Sequence, residues 1–324
     1  MTVAAPPLNR HRTGRRGLPE RPAFVKAATG PAQRDDLLRE AAVYGVVQDR
    51  CPATVPRLPR DVRWHAETDE LVMEAVPAED LHARVTAEGM FDPAVAAAVG
   101  RAVGEFHAEA TDPGRDAPHS AWLRTGVVFA RPEPALLRLL SGGGHKLLTA
   151  LQRSEALRSR LSELAPPAGD RLTHGDLRWE NILVASAPAP AVWLVDWEMG
   201  GAGEHAWDVG CVAAAAVSAW LGSIPHVPGV PPDRLAAEAA IPLDALTSGL
   251  NILWSSYRAV GPDSGSDAWT ERCAQLAAAR IVHLAFETTT YDLGLRPSAV
   301  LHLQVASNIL DGPSRAGRDL LGLT

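Results

Sequence analysis

Residues 174–181 read His-Gly-Asp-Leu-Arg-Trp-Glu-Asn, and fifteen positions after the asparagine, residues 196–198 read Asp-Trp-Glu. The two apolar segments between these motifs, separated by a proline-containing turn, predict a β-hairpin. Asp176 then lies in a loop that leaves a strand, where its carboxylate can accept a proton from a hydroxyl group. Asn181 and Asp196 lie at opposite ends of the hairpin, and their oxygens are hard ligands of the kind Mg²⁺ prefers. The pattern therefore indicates phosphoryl transfer.

Upstream of the hairpin the sequence predicts a small sheet crossed by one helix. The segments with the required periodicity are strands at 23–29, 62–67 and 71–76 and a helix at 33–48. Lys26, one of only two lysines in the chain, lies in the first strand, and Glu40 lies on the helix that follows. A lysine held by a carboxylate can bind the phosphates of a nucleotide, so this segment complements the hairpin.

The rest of the chain is mostly helical. Further helices are predicted from Pro93 onwards and at 133–141, 145–164, 205–221, 233–258 and 267–287. The predicted fold class is α+β and bilobal. Residues 1–77 form a small, truncated β-sheet N-lobe, and residues 78–324 form a large helical C-lobe that carries the catalytic hairpin.

Composition narrows the class of protein. The chain has 324 residues and a net charge of −7; residues 1–26 are basic, whereas the remainder sums to −12, which disfavours binding to a nucleic-acid backbone. The longest apolar run, 209–222, is shorter than the roughly 20 residues that span a bilayer. No signal-peptide core precedes residue 26, and the three cysteines are widely spaced, as in proteins of a reducing compartment. We therefore expect a cytoplasmic protein with neither a nucleic-acid nor a membrane partner.

Residues 172–184, with Val-Asp-Trp-Glu at 195–198 and Trp-Asp-Val-Gly at 207–210, resemble the aminoglycoside phosphotransferase and choline kinase branch of the protein-kinase-like fold. The order of strand lysine, helical glutamate, His-Gly-Asp loop and metal aspartate matches that family from position 26 to position 210. The resemblance implies that Asp176 is the catalytic base and that ATP and Mg²⁺ are the cofactors. It also implies that Asn181 and Asp196 bind Mg²⁺ and that Lys26 contacts the α- and β-phosphates of ATP.

The same resemblance implies roles for other residues. Glu40 would orient Lys26, and the backbone near Glu74 to Val76 would hold the adenine. Arg178 occupies the place where protein kinases carry a lysine that reaches the transferred phosphate. We also expect two structural roles near the loop: a hydrogen bond from His174 to backbone near Asp196, and bracing of the loop by Asp208.

The start of the chain departs from the family pattern. Members usually carry two strands and a phosphate-covering loop before the lysine, whereas only 25 residues precede Lys26 here, and residues 12–17 make a poor glycine-rich loop. Either the lid over the nucleotide is abbreviated and arginines replace it, or a partner protein completes the sheet. In the second case the bare edge of the first strand would be the association site.

The motifs described so far do not decide which molecule accepts the phosphate. The motifs at 174–181, 196–198 and 207–210, with Ser-Ile-Pro at 223–225, are also similar to phosphotransferase-like proteins of thioamitide and class V lanthipeptide biosynthesis. That likeness implies phosphorylation of Ser or Thr in a ribosomally made precursor peptide, before a partner lyase eliminates the phosphate. The alternatives are a small-molecule kinase for an aminoglycoside-type antibiotic or an amino alcohol, and a pseudokinase that only binds a partner. We favour the peptide acceptor.

Overall fold

The computed structural model describes residues 12–16, 22–114, 128–164, 169–185, 189–227, 229–230, 232–262 and 265–323. The strands are β1 Arg12–Arg16, β2 Ala23–Ala27, β3 Arg63–His65, β4 Glu70–Glu74, β5 Glu79–Asp80, β6 Arg171–Thr173, β7 Ile182–Ala185, β8 Ala191–Leu194 and β9 Gly201–Gly203. The helices are α1 Pro31–Arg50, α2 Leu81–Glu88, α3 Pro93–Glu109, α4 Pro134–Leu139, α5 Gly142–Arg153, α6 Glu155–Glu163, α7 His205–Ser223, α8 Leu243–Arg258, α9 Asp267–Thr288, α10 Pro297–Asp311 and α11 Pro313–Asp319.

The first sheet is antiparallel, with strand order β1-β2-β4-β3. Alternate residues of β4 face inward, so that Leu71 and Met73 are buried. Helix α1 contributes buried side chains to the same core, among them Leu37 and Tyr44. The predicted strands at 23–29, 62–67 and 71–76 and the helix at 33–48 are therefore present, with bounds shifted by a few residues.

Strand β1 corrects the expectation of a bare edge on the first predicted strand. Its backbone pairs antiparallel with β2, and Thr13 lies opposite Lys26. The segment Arg-Thr-Gly-Arg-Arg has no apolar alternation, so its strand conformation comes from pairing with β2 and not from local pattern. Gly17, the end of the predicted poor loop, and most of the basic N-terminal segment lie outside the described residues.

The predicted hairpin is present as β7 and β8, with Ile182 opposite Leu194. Strand β5 pairs with the outer side of β7 and so connects the chain leaving the first sheet to the hairpin. Strands β6 and β9 form a separate pair. Because β6 leads into residue 174 and β8 leads into residue 196, the two motifs meet at one end of the hairpin.

The helical part differs from the sequence prediction in two divided helices and three additional ones. The predicted helix at 145–164 is divided at Ser154, which ends α5 and caps α6 by accepting from the Leu157 N–H. The predicted helix at 233–258 is a 3-10 turn followed by α8, because Pro242 interrupts it. Helices α2, α10 and α11 were not predicted.

The C-terminal core forms where α3 packs on α8 and where α9 packs on α7 and α10. Helix α7 is long and apolar enough to cross a membrane by length and composition alone. Its most apolar 18-residue window is 78% buried inside the fold, as is typical of a core helix. The α+β class is confirmed, while the lobe boundary at 77/78 stays a prediction.

Candidate active site

The ammonium of Lys26 binds two carboxylates from different parts of the fold. Its Nζ lies 2.8 and 2.7 Å from the two oxygens of Glu40 on α1, and 2.5 Å from Oδ1 of Asp196 after β8. Lys26 is 7% exposed and Glu40 is fully buried. Burial lowers the pKa of Lys26, but the two carboxylates outweigh it, so the pKa is raised above its ordinary value and the group is a cation.

The loop that carries Asp176 is held from beneath by Asp208. The carboxylate of Asp208, fully buried on α7, accepts hydrogen bonds from the N–H groups of His174 at 2.8 Å and Gly175 at 2.9 Å. Gly175 has a φ of +80°, a left-handed conformation that favours glycine at this turn. The Asp208 carboxylate thus fixes the backbone of the loop, as expected from the sequence.

His174 has a structural environment. Burial lowers its pKa, so the imidazole is neutral, and its Nε2–H donates to the carbonyl oxygen of Val195 at 2.9 Å. This is the expected hydrogen bond next to Asp196. The imidazole therefore ties the loop to the end of β8.

Asp176 has two neighbours that fix it. Its Oδ1 accepts from Nη2 of Arg280 at 2.7 Å, and the Asn181 amide nitrogen donates to its backbone carbonyl at 2.8 Å. The same amide nitrogen lies 3.5 Å from Asp176 Oδ2. The side chain of Asp176 is 24% exposed, so part of the carboxylate is open to a bound molecule.

A cleft of about 400 Å³ lies between the first sheet and the hairpin, and we call it the first cleft. Lys26, Asn181 and Asp196 line it together. The side-chain nitrogen of Asn181 donates to the Asp176 backbone, so the side-chain oxygen is the atom that can bind a cation. The Asp196 side chain is 36% exposed. One amide and one carboxylate oxygen fit Mg²⁺, which keeps several waters and takes few protein ligands. Among the described residues, no group of three or more His, Cys, Asp or Glu is arranged so that it could hold a metal ion.

The segment predicted to hold the adenine also borders the first cleft. Both carboxylate oxygens of Glu74 accept from the Arg60 guanidinium, and the Glu74 N–H donates to the Arg60 carbonyl. That side chain and that N–H are therefore occupied. The Val76 N–H has no acceptor among the described residues, which leaves it as a donor at the cleft wall. The apolar lining of the cleft includes Phe24, Met73, Ala75, Val76 and Leu183.

A second cavity of about 230 Å³ lies on the helical side of the hairpin. Arg178, predicted to reach the transferred phosphate, lines this second cavity and not the first cleft. Its guanidinium binds Glu180 at 2.8 Å and Glu287 at 3.2 Å. Glu180 lines both cavities, so the two spaces adjoin at the loop.

Arg280 is the site residue that sequence reasoning missed. It lies on α9, is 5% exposed, lines the second cavity and binds Asp176 and Glu287. The available signal was one charged residue inside the apolar run 276–282, whose members are all buried. The pattern predicts that Arg280 is a buried charge, but it does not predict which carboxylates bind it.

Comparison with known proteins agrees with this fold. The model of the phosphotransferase enzyme family (APH) matches residues 7–240. A structure of glucosamine kinase (crystal form B) is 20% identical with a TM-score of 0.53, covering 97% of this chain and 80% of that one. Choline kinase LicA from Streptococcus pneumoniae is 13% identical with a TM-score of 0.50, covering 95% and 90%. A putative aminoglycoside phosphotransferase from Ralstonia eutropha JMP134 is 15% identical with a TM-score of 0.51, covering 95% and 90%.

No curated protein sequence matches the chain. The family match defines a phosphotransferase, and the similar solved structures show a protein-kinase-like fold. The chain belongs to the phosphotransferase enzyme family (APH), whose model covers well over half of its length. The predicted bilobal fold and the prediction of a phosphotransferase are both confirmed.

Proposed function

We propose that the protein transfers the γ-phosphate of ATP to a hydroxyl group, with Asp176 as the base. The observation that carries this proposal is that Asp176 is bound to one residue from each of the two adjoining cavities. It hydrogen bonds Asn181, which lines the first cleft, and Arg280, which lines the second cavity. A nucleotide in the first cleft and an acceptor in the second cavity would meet at this carboxylate.

The first cleft suits a nucleotide with its metal. Lys26, held by Glu40, would bind the α- and β-phosphates, and the Val76 N–H beside Glu74 would bind the adenine. Asn181 and Asp196 would hold Mg²⁺, which when bound neutralises phosphate charge. Three free, buried cysteines and a need for ATP support a cytoplasmic location in this proposal.

Asp176 would act on the acceptor hydroxyl. Its exposed oxygen takes the proton while the hydroxyl oxygen forms a bond to the γ-phosphorus, and the bond from that phosphorus to the leaving ADP oxygen breaks. Because phosphoryl-transfer transition states are loose, orientation of the hydroxyl contributes more than the basicity of the carboxylate. Arg178 would stabilise the acceptor side of the site through Glu180 and Glu287.

We infer that the acceptor is Ser or Thr of a precursor peptide. The charges of the second cavity support this choice. Glu180 and Glu287, which line it, and the adjacent Asp176 are each paired with Arg178 or Arg280. Among its described lining residues no carboxylate is left unpaired for the ammonium of an amino sugar. A neutral hydroxyl side chain suits such a cavity better, and a partner lyase or another protein would act with the enzyme.

A small-molecule acceptor is the second candidate, and the solved structures favour it. One similar structure is glucosamine kinase in complex with glucosamine, ADP and inorganic phosphate, 18% identical with a TM-score of 0.52, covering 95% of this chain and 82% of that one. Glucosamine and choline both carry a cationic nitrogen near the hydroxyl. A ligand of this kind would have to displace one of the arginines from its carboxylate.

Radiolabelled ATP separates these candidates. The purified protein is incubated with Mg²⁺ and, in parallel, with a Ser/Thr-containing precursor peptide encoded beside its gene, glucosamine, choline, ethanolamine and an aminoglycoside. We expect label on the peptide and on none of the small molecules. Label on a small molecule alone would favour the second candidate. Absence of transfer to every acceptor, also with the neighbouring lyase present, would favour a pseudokinase.

A further inference from the structure

Arg280 is a buried cation in an apolar part of helix α9. Its guanidinium binds Asp176 Oδ1 through Nη2 at 2.7 Å and Glu287 Oε1 through Nη1 at 3.2 Å. Residues 276–282 of the same helix are all buried, and Arg280 is the one charged member of that run. The arginine therefore enters the core only to reach the two carboxylates.

The stability of the fold does not explain this arginine. Its Nε is buried and has no hydrogen-bond partner among the described residues, which costs about 1–3 kcal/mol for a polar group. Replacing a buried ion pair by apolar side chains of similar volume is often neutral or stabilising. The charge at this position is therefore better explained by what it does to its partner, Asp176.

Arg280 is itself fixed by a second carboxylate. Glu287, two turns further along α9, accepts from Arg280, from Arg178 at 3.2 Å and from His283 at 3.0 Å. A planar guanidinium held at Nη1 can present Nη2 in one direction only. That direction fixes Oδ1 of Asp176, while Oδ2 lies on the side of Asn181, 3.5 Å from its amide nitrogen.

We propose that Arg280 is a positioning residue that sets the orientation of the Asp176 carboxylate towards the acceptor. This inference rests on the proposed function, because it needs Asp176 to be the base. It assigns Arg280 no contact with ATP. Loss of the guanidinium should therefore lower kcat and leave nucleotide binding in place.

The test measures MgATP turnover, with water as the acceptor, as release of inorganic phosphate. Arg280→Met should lower kcat about 100-fold, the effect of misplacing a catalytic group by about 1 Å, with the KM for ATP changed less than about threefold. Arg280→Lys keeps a cation with fewer donors and should regain about tenfold of that loss. Arg272→Met is the matched control, since Arg272 lies on the same helix and binds Glu204. Its kcat should equal that of the wild type.

A double-mutant cycle with Asp176→Asn separates the two proposals. If Arg280 acts only through Asp176, then adding Arg280→Met to Asp176→Asn changes kcat by less than about threefold. A further loss of about 100-fold would overturn the inference. An inactive Asp176→Asn beside a fully active Arg280→Met would overturn the inference alone. An active Asp176→Asn, or a wild type that neither releases phosphate nor labels any of the acceptors tested above, would overturn the proposed function. Should Arg280→Met fail to fold, wild-type kcat in Arg280→Lys and Glu287→Gln would count against the inference.

Discussion

Lys26 and Asp196 form an ion pair of 2.5 Å although 170 positions separate them in the chain. Lys26 belongs to the first sheet and Asp196 to the end of the hairpin, so the pair links the two sides of the first cleft. Asp196 also has a φ of +67°, a strained conformation for a residue other than glycine. Strain of this kind persists where the surrounding structure enforces it, as at functional sites. The pair therefore joins the two sides where the phosphates of ATP are proposed to bind.

The first prediction separates stability from activity at this pair. Lys26→Met leaves the fully buried Glu40 carboxylate without its cation, which should lower the free energy of unfolding by about 3–5 kcal/mol. Lys26→Met with Glu40→Gln removes both charges and should recover most of that loss. Neither variant should transfer phosphate. Urea unfolding and phosphate transfer measure the two effects, and a double variant as unstable as the single one would contradict the account.

The second prediction concerns Mg²⁺ dependence. Asp196→Asn keeps the size of the side chain but removes the charge that would bind the metal. The Mg²⁺ concentration for half-maximal velocity should rise by more than the roughly tenfold that loss of an outer-shell partner costs. Asp80→Asn is the control, because Asp80 lines the same cleft and an asparagine still caps α2. A metal requirement that rises equally in both variants would argue against Asp196 as a ligand.

The short-range part of the site could be predicted from sequence. Asp176, Asn181 and Asp196 lie within one hairpin, so their spacing fixes their proximity once the strands are recognised. Lys26 and Glu40 are similarly placed by a strand followed by a helix. Strand β1 could not be predicted, because its residues show no alternation and its conformation depends on β2.

Arg280 shows why the remainder of the site was missed. It lies 104 positions after Asp176, on a helix whose pattern indicates only burial. The contact depends on how α9 packs against α7 and the loop, which is a tertiary property. For the same reason the contacts of the Arg178 guanidinium with Glu180 and Glu287 could not be predicted, and its role towards the phosphate stays a prediction.

The third prediction tests the packing of the helical core. A Cβ at Gly100 on α3 would lie 2.0 Å from the backbone carbonyl oxygen of Leu253 on α8, so the helices must separate. Gly100→Ala should lower the free energy of unfolding by at least about 1–3 kcal/mol. Gly45→Ala on α1 is the control, since a Cβ there meets no atom within 4 Å. It should stabilise the protein by up to about 1 kcal/mol through helix propensity, as measured by urea unfolding. If Gly100→Ala and Gly45→Ala changed the free energy of unfolding by the same amount, the proposed helix packing would be contradicted.

The fourth prediction concerns pH. Burial, the stacked ring of His107 at 4.0 Å and the charge of Arg171 lower the pKa of His205 to about 2. In the unfolded chain a histidine has a pKa of about 6.5. Below that pH the unfolded state binds a proton that the folded state does not, so stability falls as the pH falls. The loss attributable to His205 should reach about 2 kcal/mol at pH 5.

His205→Gln tests this pH dependence, because the amide can still donate to the Ala110 carbonyl that His205 binds. Its free energy of unfolding should change less between pH 7 and pH 5 than that of the wild type, by about 2 kcal/mol. His226→Gln, at an exposed histidine, should keep the wild-type dependence. If all three proteins lose stability equally, another group is responsible.

The transfer rate of Asp176→Asn, measured beside its affinity for ATP, tests the central claim most directly. The substitution removes the proton-accepting carboxylate but keeps a side chain of the same shape. We expect phosphate transfer to fall by at least about 100-fold, the lower end of general-base contributions, while ATP binds within a few-fold of wild type. Transfer at the wild-type rate would show that Asp176 is not the base.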